Sequence, residues 1–175
     1  MYYGKIKETD ISNGPGVRTS LYVSGCRNNC EMCFNKETWD FKYGSPFTKE
    51  TVKTIIDSLR PDYVSGLTLL GGEPMEEENQ ETLLLLLREI KHLLPNKNIW
   101  CYTGYSYDTD LTLGGKKHTI HTDSLIKCLD VLVDGRFVNA KKDIRLQFRG
   151  SSNQRIIAVK ETISSGTLVI DKRFL

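Results

Sequence analysis

Three of the five cysteines fall within eight residues, Cys26, Cys30 and Cys33 in "SGCRNNCEMCFN", spaced C-x3-C-x2-C. Thiolates at this density are soft ligands, suited to zinc or to an iron–sulfur cluster. A structural zinc site takes four protein ligands, commonly from C-x2-C pairs. The remaining candidates, Cys101, Cys128, His92, His118 and His121, sit in no partner motif. Five is an odd number, so the cysteines cannot all pair as disulfides. A conventional electron-transfer cluster takes four cysteines. Three thiolates can hold three irons of a four-iron cluster and leave the fourth open to a ligand, the logic of catalytic metal sites. A zinc module, an electron carrier and an open-site catalyst all stand on these residues alone.

Other groups add to this set. Gly71, Gly72 and Glu73 begin "GGEP", where glycines allow close approach of backbone to a ligand. Asp134 and Arg136 flank Gly135, either as polar contacts to a ligand or as an ordinary Asp-Gly turn. Tyr102, Thr103 and Gly104 end another apolar run. His118 and His121 lie three apart without a third ligand, and Cys101 and Cys128 read as core thiols. "GPG" and "LGGKK" do not form the G-x-x-x-x-G-K-[ST] phosphate loop, which disfavours nucleotide hydrolysis.

The elements that must position these residues are legible from periodicity. Val17, Thr19, Leu21 and Val23 alternate with Arg18, Ser20, Tyr22 and Ser24, a strand that runs into the cysteine loop. Thr48 caps a helix whose apolar residues are Val52, Ile55, Ile56 and Leu59. "GLTLL" is a strand ending at "GGEP". Glu76, Glu77 and Glu78 open a second helix, whose core face is Leu83, Leu86, Leu87, Ile90 and Leu94. "NIWCYTG" and "LDVLVDG" read as buried strands, Ser124 to Leu129 as a helix, and "RIIAV" and "TLVI" as final strands. Alternating strands and helices predict an α/β fold with a mostly parallel sheet. A closed eight-stranded barrel needs about 250 residues. The expectation is therefore a partial, incomplete β/α barrel or open curved sheet, as one domain over residues 1–175. Its strand-end loops, carrying the cysteines, "GGEP", Thr103-Gly104-Tyr105 and Asp134-Gly135-Arg136, should meet on one rim.

Composition bounds the setting. With 39% hydrophobic and 26% charged residues the chain reads as an ordinary globular protein. It has no apolar run of the roughly 18–20 residues that a membrane span needs, and the N-terminus lacks a secretory core. A cytoplasmic location and no membrane partner are expected. Net charge +2 gives no argument for nucleic acid. From Arg136 onward nine Lys/Arg face three acids, so this tail carries +6 and the remainder −4. The tail is either a solvated face or a docking surface for an acidic partner.

The C-x3-C-x2-C spacing, together with "GGEP" after a strand, resembles the radical S-adenosylmethionine superfamily. "NGPGVR" resembles the glycyl-radical-enzyme activases. The match continues through "VSGC", "CFNKETW", "PFT", "LLGGEP", "YTGY", "VLVDGRF", "KD" and "FRGSSNQR". Together, from about residue 10 to 155, these resemble the activating proteins of anaerobic (class III) ribonucleoside-triphosphate reductases. The resemblance implies a 4Fe-4S cluster on Cys26, Cys30 and Cys33, with S-adenosyl-L-methionine on the open iron. Gly71, Gly72 and Glu73 inherit contacts to the amino group of that ligand. Asp134 is implied to contact its polar groups, and Arg136 its carboxylate. Met32 stands where the superfamily usually has an aromatic residue against the adenine. Phe34 is the aromatic nearby, and backbone at Met32, Cys33 and Phe34 is implied at the adenine edge. The implied partners are the large reductase subunit, through a glycine loop near its C-terminus, and an electron donor such as flavodoxin. "GSSNQR" is implied in a turn that binds ligand or partner. The activase of another glycyl radical enzyme, or another small radical enzyme such as a carboxy-deazaguanine synthase, is the neighbouring alternative.

Overall fold

The computed structural model describes residues 1–174. Seven strands form one sheet: β1 (Tyr2–Asp10), β2 (Val17–Val23), β3 (Ser45–Pro46), β4 (Val64–Gly71), β5 (Asn98–Tyr102), β6 (Val131–Asp134) and β7 (Arg155–Ala158). Their spatial order is β3-β1-β2-β4-β5-β6-β7, so the sheet is open. The central four, β2-β4-β5-β6, are parallel. The antiparallel pairs lie at the margins, where β1 joins β2 and β3, and β7 joins β6. The expected open α/β sheet forms, parallel through its centre and antiparallel at both margins.

The crossovers are α1 (Lys49–Leu59), α2 (Glu77–Leu93) and α3 (Thr122–Cys128), with α4 (Val159–Ser165) after β7. Thr48 caps α1 reciprocally with Thr51, which satisfies backbone donors that the first helical turn leaves orphaned. Ile55, Ile56 and Leu59 of α1 and Leu83, Leu86, Leu87 and Ile90 of α2 are buried in one core. They meet Leu21, Val23, Leu67, Leu69, Ile99, Cys101 and Leu132 from one face of the sheet. Each fully buried Leu or Ile of this kind is worth about 1.5–3 kcal/mol of transfer free energy.

The second face of the sheet is not covered by these helices. Near the strands' N-terminal ends it is filled by Trp100, Phe148 and Phe174, whose rings meet edge to face at 5.3–5.6 Å. Arg18, fully buried, lies over Trp100. Its guanidinium donates to Thr68 Oγ1, Asn98 Oδ1 and the Leu67 carbonyl at 2.6–2.7 Å. Gly14 permits this packing: at φ +129° a Cβ there would sit 2.9 Å from the Arg18 side chain. "NGPGVR" is thus a structural turn at the end of the sheet opposite the cysteine loop.

Three expectations change. A nine-residue strand, β1, precedes the one taken as first, and its periodicity is interrupted by a register shift at Gly4. "TLVI" forms no strand. It runs beside β7 through Ala158 N–H to Val169 O and Asp171 N–H to Ile156 O, and Val159 has already turned into α4. The third helix starts at Thr122 and ends at Cys128 rather than spanning 124–129. No described helix is long and apolar enough to cross a membrane.

Candidate iron–sulfur site

Because β2, β4, β5 and β6 run parallel, their C-terminal ends share one rim, and backbone hydrogen bonds join the loops there. Gly72 N–H donates to Val23 O at 2.8 Å and Glu73 N–H to Gly25 O at 2.9 Å. Thr103 N–H donates to Val133 O at 2.9 Å, and Gly135 N–H to Tyr105 O at 3.1 Å. The glycines of "GGEP" are required by these approaches. At Gly71, φ +106°, a Cβ would meet the Tyr22 backbone at 2.7 Å, and at Gly72 it would meet Gly25 O at 2.8 Å. The close approach they permit is to the neighbouring strand and the cysteine loop.

A cavity of about 300 Å³ opens on this rim. Cys26, Cys30 and Cys33 line it, with Met32 and Phe34 on one side and Gly71, Gly72 and Glu73 on another. Tyr102, Thr103 and Gly104 contribute as well. Met32 takes a left-handed conformation at φ +57° and is 63% exposed, and Phe34 is 84% exposed. None of the three cysteines is paired in a disulfide. Burial pushes the Cys26 thiol up to about 12, against a hydrogen bond from the Asn28 backbone. Ionising it calls for a positive centre alongside, which a metal supplies. Among the described residues no three His, Cys, Asp or Glu side chains converge on a single-ion site. A polynuclear cluster asks for no such convergence, because each of its cysteines meets a different iron. Three soft donors bordering an open cavity fit an iron–sulfur cluster by their chemistry.

Glu73 is buried and lines the cavity, and it ties three loops together. Its carboxylate accepts from Met75 N–H at 2.9 Å, Gly104 N–H at 2.7 Å and Asn28 Nδ2 at 2.8 Å. Burial pushes its pKa up to about 7 in spite of these donors.

Asp134 and Arg136 are not among the cavity-lining residues. Asp134 is fully buried and accepts from Tyr107 N–H at 2.7 Å and from the Arg155 guanidinium. Arg136 is exposed and donates to Asn29 O at 2.9 Å, on the cysteine loop. Gly135 between them does line the cavity. Cys101 is buried in β5 and Cys128 sits in α3 against Ser124 O, and neither lines the cavity. His118 Nε2 lies 3.1 Å from Asp123.

The "GSSNQR" segment has a structural part that its residues alone do not suggest. Gln154 Oε1 accepts from Gly150 and Ser151 N–H, while its Nε2 donates to Gly135 O at 3.0 Å. Asn153 Nδ2 donates to Arg136 O, and Arg155 bridges Asp134 and Asp108. The segment clamps the loop after β6 against the rim. Gly150 and Gln154 also face the cavity. Asn28, Asn35, Trp39, Leu70 and Phe137 are lining residues to which sequence reasoning gave no role, whereas Gln154 lies in the "GSSNQR" turn it singled out. The unusual polar density of "GSSNQR" and the asparagines inside the cysteine spacing were the available signals.

A family described as a 4Fe-4S single cluster domain matches residues 12–157. The anaerobic ribonucleoside-triphosphate reductase-activating protein of Escherichia coli K12 is 40% identical over 156 residues, covering 88% of this chain and 96% of its own. The protein of the same name from Pasteurella multocida is 39% identical, covering 89% and 96%, and that of phage T4 is 37% identical, covering 89% and 93%. With three thiols on one rim loop, that coverage and that identity, the chain belongs to the 4Fe-4S single-cluster family and, within it, to the anaerobic ribonucleoside-triphosphate reductase-activating proteins.

Proposed function

We propose that Cys26, Cys30 and Cys33 ligate three irons of a 4Fe-4S cluster whose fourth iron binds S-adenosyl-L-methionine. The observation that carries this reading is the donor set: three thiols border one open cavity, and the other two cysteines lie in β5 and α3. A reduced cluster held there would supply the electron for cleavage of S-adenosylmethionine to methionine and a 5′-deoxyadenosyl radical, the chemistry needed to remove an α-hydrogen from a glycine of the anaerobic reductase. Glycine suits this because its α-carbon carries no side chain and the flanking amide groups delocalise the unpaired electron.

The residues of this chain bind and orient. Gly71 and Gly72 line the cavity where the amino end of the ligand would lie, and their missing Cβ atoms let this turn pack directly against β2 and the cysteine loop. Glu73 keeps that turn registered against Asn28 and Gly104. Met32, Cys33 and Phe34 offer backbone and side chain toward the adenine. Asp134 and Arg136 act at one remove, holding Gly135 at the cavity wall through Arg155 and the cysteine loop through Asn29. The exposed mouth beside Met32 and Phe34 suits a polypeptide substrate, which a closed pocket would exclude. A flavodoxin-like donor in the cytoplasm would supply the electrons.

The test is anaerobic reconstitution with iron and sulfide, followed by electron paramagnetic resonance with and without S-adenosylmethionine and assay of 5′-deoxyadenosine. A four-iron signal that changes with the ligand, and a glycyl radical once the reductase is added, is the expected result. A cluster indifferent to S-adenosylmethionine would return the chain to the electron-carrier reading.

A further inference from the structure

Glu76 closes the turn after "GGEP" and precedes α2, where an acid would ordinarily face the helix dipole from solvent. Here its side chain is fully buried and makes no capping bond to α2. It is not among the cavity-lining residues. Four donors meet its two oxygens. Oε1 accepts from the Arg27 backbone N–H at 2.9 Å and from the Tyr105 hydroxyl at 2.8 Å. Oε2 accepts from Arg27 Nη1 and Lys117 Nζ, both at 2.8 Å. The donors come from three separate segments: the cysteine loop, the loop after β5, and the connection that leads to α3.

The Arg27 N–H belongs to the peptide unit that joins Cys26 to Arg27. A carboxylate bonded to it fixes the orientation of the backbone beside the first thiol. The Arg27 guanidinium extends the hold, reaching Glu78 and lying 4.3 Å over the Phe41 ring. Asn28 adds its bond to Glu73. The far half of the loop is more lightly held, by Arg136 to Asn29 O and by Cys33 N–H to Cys30 O at 3.3 Å. One end of the loop is therefore anchored and the other rests on few contacts.

We propose that Glu76 is the positioning residue of the cysteine loop: through Arg27 it sets where the Cys26 thiol stands relative to Cys30 and Cys33 before any cluster is bound. This rests on the ligand assignment above. Outer residues of this kind orient the ligands of a metal centre without touching the metal.

The experiment compares wild type with Glu76→Gln and Arg27→Met after anaerobic reconstitution of the full chain. It reads iron per chain, the half-life of the cluster against a chelator, and the resonance line shape of the reduced cluster. Glu76→Gln keeps the size of the side chain but replaces an acceptor oxygen with a donor that repels Lys117 and Arg27. Its half-life should fall about ten- to a hundredfold, with a broadened line. Arg27→Met should show a smaller fall, since its backbone N–H still reaches Glu76. Trp100→Phe, in the aromatic cluster at the other end of the sheet, controls for lost stability and should keep the wild-type half-life and line shape. A Glu76→Gln chain that holds its cluster as long as wild type, with an unchanged line, overturns the proposal. Should that variant not fold, an unchanged half-life in Arg27→Met, whose side chain is half exposed, overturns it instead. Wild type that takes up no cluster defeats the ligand assignment itself, a failure visible before any variant is made.

Discussion

The second face of the sheet is filled by interlocking aromatic rings at one end and opens beside the cysteine loop at the other, and the same strands build both. β5 places Asn98 and Trp100 in the packed end and Tyr102 at the cavity, and β4 likewise contributes Thr68 to the first and Leu70 to the second. The packed end buries a cation: Arg18 has no carboxylate against it, and burial lowers its pKa to about 10. Carbonyl, hydroxyl and amide oxygens and the Trp100 face satisfy it instead. The open end holds its polar groups in loop-to-loop bonds and leaves the thiols on a cavity. Aromatic packing is concentrated at the first end, and the loops of the second are registered by hydrogen bonds. The two ends should therefore fail differently when altered.

The sharpest contrast comes from Cys30→Ala. It should abolish cluster-dependent 5′-deoxyadenosine formation while moving the unfolding midpoint little, because Cys30 is only partly buried. A Cys30→Ala chain with an intact, active cluster would break the comparison at its open end. Trp100→Ala should do the reverse. Removing the ring costs about 3–5 kcal/mol of stability, read by urea unfolding, while protein kept folded at low temperature retains the wild-type resonance line.

Asp10 sharpens the comparison through pH. Burial would raise its pKa, but hydrogen bonds from Ser20, Lys7, Asn13 and Ser12 N–H outweigh it and hold the carboxyl far below the usual range. A depressed folded pKa contributes stability above the unfolded value near 3.8, and that contribution is lost as pH falls toward the folded value. Asp10→Asn should be about 1–3 kcal/mol less stable than wild type at pH 7. Urea midpoints of the two proteins should draw together below pH 4, and a gap independent of pH would refute the assignment.

The smallest effect is expected at the surface. The basic tail is partly neutralised within the fold, since Arg145, Arg155, Lys160 and Arg173 pair with Asp143, Asp134, Asp130 and Asp171. Lys141 and Lys142 are exposed, and Lys142 lies 5.9 Å over the Phe34 ring. Reversing both charges should weaken reductase binding several-fold at low salt and barely at high salt. Binding unchanged at low salt would make this stretch a solvated face.

The parts of the fold visible in advance were those with a strong period: β2, α1, α2, and the buried runs of β5 and β6. β1 was hidden because Gly4 breaks its register and Lys5, Lys7, Glu8 and Thr9 are exposed, so no apolar alternation marks it. The cysteine spacing and "GGEP" were legible because their chemistry is carried by residue type. Asp134 is the opposite case. An acid at a strand end suggests a ligand contact, and only packing shows that Arg155, twenty-one positions on, has already taken it. Glu76 looked like one of three dipole acids and is the one turned inward.

Taken alone, the sequence determined the clustering of three thiols, the parallel α/β arrangement and the rim on which the loops gather, since each follows from residue spacing or from a local period of two or 3.6. The tertiary structure decided which glycines serve a backbone approach, which carboxylates are consumed by buried pairs, and which end of the sheet is filled. Those outcomes depend on partners distant in the chain, Arg27 with Glu76 or Arg18 with Asn98, and no local pattern encodes such a meeting.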